Sequence, residues 1–168
     1  MWRSEAGLPL VLIGTLFKTT YGMKVVRALE NSSLARYLGC LSRPLVLAAM
    51  KACRVFALPS LMEGIGLAAL EAGALDARIV VTQNGGPRDY FAEYAWYVDP
   101  YSIPSITQGL QRAWDAPANK PVQQHIRERF APDVLSPVLQ SFYEAALAGE
   151  KNGGFTQVSC ESASGRVL

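Results

Sequence analysis

Apolar positions in this chain come in short unbroken blocks separated by glycine, proline and polar loops. Leu10-Val11-Leu12-Ile13, Val55-Phe56-Ala57-Leu58 and Ile79-Val80-Val81 do not alternate with polar residues. Runs of that length and character read as strands covered on both faces. Leu34-Ala35-Arg36-Tyr37-Leu38-Gly39 and Trp96-Tyr97-Val98 are further strand candidates. Between the blocks the period changes to helical spacing. Val25, Val26 and Leu29 predict a helix over 23–30. Leu45, Leu47, Ala48 and Ala52 predict the apolar face of a helix opened by Pro44. An Ala- and Leu-rich run predicts a helix from Leu67 onward. Ile106, Leu110 and Ala113 predict one capped by Ser102 or Ser105. Two more are expected over 119–130 and 133–148, the last with Leu135, Val138, Leu139, Phe142 and Ala146 as its stripe.

Strand, helix, strand, helix is the order of an α/β fold, with a parallel sheet covered by helices on both faces. Such sheets bind ligands beyond the carboxyl ends of their strands. Gly14, Gly39, the turn from Ser60 to Gly66 and the turn from Gly85 to Pro87 all follow expected strand ends. They are therefore expected on one edge. The turn after Leu58 carries the sharpest chemistry. Pro59 stops the strand, Gly64 and Gly66 let backbone approach a ligand, and the helix after them starts with unpaired N–H groups and a positive dipole end. That combination suits an anion. Glu63 in the turn and Glu71 in the helix add two carboxylates, with seven residues between them.

Composition narrows the picture. With 168 residues, half of them hydrophobic, the chain is long enough for one domain with a substantial core. A formal net charge of +2, with scattered basic residues, gives no argument for nucleic acid. Three cysteines without a C-x-x-C pair argue against a disulfide framework and for a reducing, cytoplasmic compartment. No apolar run approaches the ~20 residues that span a bilayer. His125 is the single histidine and is expected in a late, exposed helix, in a structural or surface role. Residues 149–168 are rich in Gly and Ser and are expected to be a disordered tail.

The stretch Leu58-Pro59-Ser60-Leu61-Met62-Glu63-Gly64-Ile65-Gly66-Leu67, followed by Glu71-Ala72-Gly73-Ala74, resembles the E-x7-E motif of retaining GT-B glycosyltransferases of family 4. Ile65 stands where that family commonly has Phe. Asn84-Gly85-Gly86-Pro87-Arg88-Asp89-Tyr90-Phe91 is similar to the family's glycine loop beside sugar and phosphate, and Tyr97-Val98-Asp99-Pro100 to its next strand. The resemblance covers residues 10–148. It implies one half of a GT-B fold: a Rossmann-like, nucleotide-sugar-binding domain over 1–148, the C-terminal donor domain, with its first strand missing from the chain. It implies a UDP- or GDP-sugar as donor and transfer of the glycosyl unit to an acceptor hydroxyl in polysaccharide or glycoconjugate synthesis. The alternative is a non-catalytic nucleotide-sugar-binding or regulatory subunit that pairs with a separate acceptor-domain protein.

Site residues follow from the same resemblance. Glu63 would meet the sugar as the catalytic carboxylate. Glu71 would accept from the ribose hydroxyls. The amides of Ile65, Gly66 and Leu67 would hold the diphosphate, with Gly14, Leu41, Ser60, Gly64, Gly85 and Gly86 completing the donor cradle and Cys40 to Ser42 bordering the base. Arg88 would face phosphate or stay on the surface. No D-x-D string occurs, so no metal or other cofactor is expected. The expected partners are the donor and an acceptor-binding N-terminal half in cis or in trans. Any peripheral membrane association belongs to that other half. Alone, this chain is expected to bind nucleotide weakly and turn over little. The family closes on an F-S-W helix, and here Phe130-Ala131-Pro132-Asp133 lacks the Trp.

Overall fold

A computed structural model describes residues 8–117 and 120–148. The chain separates into two compact units, 1–127 and 128–168. The first holds strands β1 (Leu10–Leu12), β2 (Ala35–Tyr37), β3 (Val55–Leu58), β4 (Arg78–Thr82) and β5 (Ala95–Val98). Helices α1 (Thr20–Glu30), α2 (Arg43–Ala52), α3 (Leu67–Ala74), α4 (Pro87–Phe91) and α5 (Ile103–Asp115) alternate with them, and a single 3₁₀ turn spans Ala92–Tyr94. Helix α6 (Lys120–Phe130) follows, then α7 (Pro132–Leu147) in the second unit. The expected strands and helices are all present, with ends shifted by a few residues. The expectations for residues 1–7 and for 149–168 lie outside the described residues.

Among the described residues all strand pairs are parallel, as expected, and they form two ladders in place of one sheet. β1 pairs with β2, and β3-β4-β5 form a separate three-stranded sheet with β4 in the centre. Ladder bonds need strands ~4.8 Å apart, and no described strand pairs with both β1 and β3.

The core belongs to the three-stranded sheet. Every residue of β4 is buried. Val80 faces α5, packing with Val98 and Ala113, and Val55, Trp96, Ile106 and Leu110 close around them. Ile79 points to the opposite face, as neighbouring residues in a strand must. There Gly73 of α3 lies against Ile79, Val122 and Ile126. Helices on both faces explain why the run 79–81 is apolar without alternation. Ala69, Ala72 and Gly73 are fully buried or nearly so because small residues let α3 lie close to β4. Ser102 is the residue that caps α5, accepting from the Ser105 amide.

Two helix faces differ from expectation. In α2, Leu45 is 56% exposed and the buried residue is Met50, with Val46, Leu47 and Ala49 half-buried beside it. The inward stripe is therefore rotated from the expected one. In α7 no residue is buried. The apolar spacing of 135–146 describes a stripe that stays open to solvent. No described helix is long and apolar enough to cross a membrane.

Candidate functional site

Two glycine turns are stitched together at the carboxyl ends of β3 and β4. Glu63 and Gly85 form an isolated parallel bridge. The Glu63 amide donates to the Asn84 carbonyl at 3.3 Å, and the Gly86 amide donates back to the Glu63 carbonyl at 3.0 Å. Asn84 Nδ2 adds a bond to the Leu61 carbonyl at 2.9 Å. The Asn84 amide in turn donates to Oγ1 of the fully buried Thr82, at 3.2 Å. Gly85 has φ +90°, and a Cβ there would run into the Glu63 carbonyl oxygen. Only glycine supplies both that conformation and that clearance.

This stitching fixes where Glu63 stands. Its carboxylate is half-buried and accepts from Ser60 Oγ at 2.7 Å through Oε1. Gly66 then takes a left-handed conformation, φ 72°, and α3 starts with no side-chain cap. The first N–H groups of a helix have no intrahelical acceptor, so the start of α3 at Leu67, next to the exposed Gly64 and Ile65, carries free amides and the positive end of the dipole. Glu71 lies one turn further on. Its Oε1 is 2.7 Å from Arg43 Nη2, on the first residue of α2.

The remaining expected residues sit differently. Gly14, with φ +134°, follows β1, but its amide donates to the Gly39 carbonyl at 2.9 Å and its carbonyl accepts from the Tyr37 hydroxyl at 2.8 Å. Gly14 thus pairs with Gly39, with both backbone groups used. Gly86 likewise spends its amide on Glu63. Leu41 is half-buried in the turn before α2. Arg88 reaches neither turn, because its guanidinium lies 4.2 Å from the centroid of the Tyr97 ring. Burial pushes the Tyr97 phenol up to about 12, against the pull of Arg88, and its hydroxyl donates to the Ala92 carbonyl at 2.6 Å. His125, expected in a structural or surface role on an exposed helix, is half-buried. It bonds the Tyr90 carbonyl at 2.8 Å and stacks on Tyr94 at 4.6 Å. Arg43 was not singled out in the sequence. Its partner is 28 positions away, and no local pattern marks such a pair.

Residues 4–129 match the family model described as glycosyl transferases group 1. Among solved structures, sucrose-phosphate synthase from Thermosynechococcus elongatus aligns with a TM-score of 0.72 at 18% identity, over 83% of this chain and 38% of that one. AviGT4, a glycosyltransferase of avilamycin A biosynthesis, aligns at 0.70 and 17%, over 84% and 44%. The Anabaena protein HepE, crystallised with UDP, aligns at 0.66 and 18%, over 82% and 41%. These neighbours have the GT-B architecture, and the likeness is one of fold. The chain spans about two fifths of their length. No curated protein matches it.

Proposed function

The chain belongs to the group 1 glycosyl transferases, and on that premise we propose that it is the donor-binding half of a retaining enzyme of the E-x7-E type. The donor is a UDP- or GDP-sugar. Its diphosphate lies over the uncapped start of α3, against the amides of Ile65, Gly66 and Leu67. Glu71 accepts from the ribose hydroxyls, and Glu63 meets the sugar ring. A charged acceptor makes a hydrogen bond roughly twice as strong as a neutral one, which suits both glutamates to hydroxyl ligands.

In the transfer step negative charge builds on the leaving diphosphate. Amides already aimed at it stabilise that charge without having to reorient. The acceptor hydroxyl is held by the other half of the GT-B fold, in cis or in trans. The observation that carries this reading is the Glu63–Gly85 bridge, which joins the Glu63 turn to the glycine turn beyond the carboxyl ends of β3 and β4.

Calorimetry with UDP, GDP and ADP and their glucose or mannose derivatives tests it. One nucleotide class should bind measurably, and Glu71→Ala should weaken that binding at least tenfold. Full affinity in the Glu71→Ala chain would remove the ribose assignment, and no binding by any nucleotide would remove the reading as a whole.

A further inference from the structure

The contact between Arg43 and Glu71 is one-sided. Arg43 Nη2 holds Oε1 at 2.7 Å, and among the described residues Oε2 has no hydrogen-bond or ion-pair partner. A carboxylate oxygen pinned by a guanidinium fixes the rotamer of its side chain and leaves the second oxygen pointed and open. The pair also spans two elements that share no strand ladder. Arg43 is the first residue of α2, directly after the 40–42 turn, and Glu71 is in α3 after β3. α2 and α3 pack together, and the ion pair ties the residue that follows the 40–42 turn to Glu71.

Stability is a poor explanation of the pair. The Arg43 side chain is 72% exposed and that of Glu71 33%. Exposed ion pairs contribute ~0–1 kcal/mol. Arg43 also lacks the second N–H···O bond that would make it bidentate, the geometry in which an exposed pair counts for more.

Resting on the donor-binding reading above, we infer that Arg43 is a positioning residue for ribose selection. It holds Oε1 so that Oε2 is presented to the vicinal hydroxyls of a nucleoside diphosphate. Arg43 itself is not required to touch the nucleotide.

The test is a ratio. Affinities of the full chain for UDP and GDP are measured by calorimetry alongside their 2′,3′-dideoxy counterparts. The unaltered chain favours the ribonucleotide, and Glu71→Ala brings the ratio close to one. Arg43→Ala lowers the ratio about three- to tenfold with little change in the affinity of the dideoxy form and no loss of thermal stability. Arg43→Lys restores most of it, because a single contact to one oxygen is within reach of an ammonium. Arg43→Ala in the Glu71→Ala background changes nothing further.

An equal loss for ribo and dideoxy forms in Arg43→Ala would overturn the inference, since it would mean direct contact with phosphate or base. An unchanged ratio in Arg43→Ala, with the ratio lost in Glu71→Ala, would also overturn it while leaving the ribose role of Glu71 intact. No discrimination in the unaltered chain would instead strike the donor-binding reading itself.

Discussion

The two ladders of the first unit make opposite use of similar sequence. Leu10-Val11-Leu12 and Ile79-Val80-Val81 are both apolar triplets in parallel strands. Val11 is 53% exposed, whereas Ile79, Val80 and Val81 are completely buried. The difference lies in neighbours. β4 has a strand on each side and helices on both faces, while among the described strands β1 has β2 alone for a partner. An apolar triplet therefore reports what a strand is able to bury, and the surrounding topology decides how much it does. The turns differ in the same way. The one after β3 is bonded into the one after β4 and carries Glu63. The one after β1 closes on Gly39 and Tyr37 with its backbone groups spent.

The sharpest way to break this contrast is to cut into each triplet. Ile79→Ala should cost about 2–5 kcal/mol, the range for emptying a packed core site. Val11→Ala should stay within about 0.5 kcal/mol, as exposed positions do. Denaturant unfolding of the two variants measures both, and comparable losses would mean that the ladders share one core.

The turns come next. Gly85→Ala forces a methyl against the Glu63 carbonyl and must displace backbone, on top of ~1–3 kcal/mol for the left-handed conformation. Gly14→Ala meets open space and carries the conformational strain alone. Thermal unfolding should therefore rank Gly85→Ala as the more damaging. An inverted ranking would contradict the stitched geometry.

The smallest effect concerns Tyr97. Its folded pKa lies above the ~10 of an exposed phenol. The stability it contributes is thus complete below pH 10 and is lost as the pH climbs through about 12. The ultraviolet difference titration between the unaltered chain and Tyr97→Phe should place the Tyr97 ionisation near pH 12. A difference complete by pH 11 would mean that Tyr97 is not buried under Arg88.

Much of the architecture was legible because strand blocks, glycine turns and the helix start after Gly66 obey local rules. The site turn was legible for the same reason, since Ser60 and Glu63 lie within one turn of chain. What escaped depends on partners far away in sequence. Helical spacing in α2 allowed two faces, and packing chose the one with Met50. In α7 the stripe gave the period correctly, yet period alone does not say whether anything covers it. His125 gave no hint of Tyr90 and Tyr94, which approach from more than 30 positions upstream. Arg43 escaped for the same reason. The division into two ladders is a fact of hydrogen bonding between strands, and no strand's own composition records it.

A continuous five-stranded sheet would have two margins. Two plus three strands have four, and at each margin a row of backbone donors and acceptors has no ladder partner among the described residues. β3 is one such margin, and its Val-Phe-Ala-Leu segment carries none of the charges that blunt open strands. An uncharged open edge of that kind is a template on which a further strand can be laid.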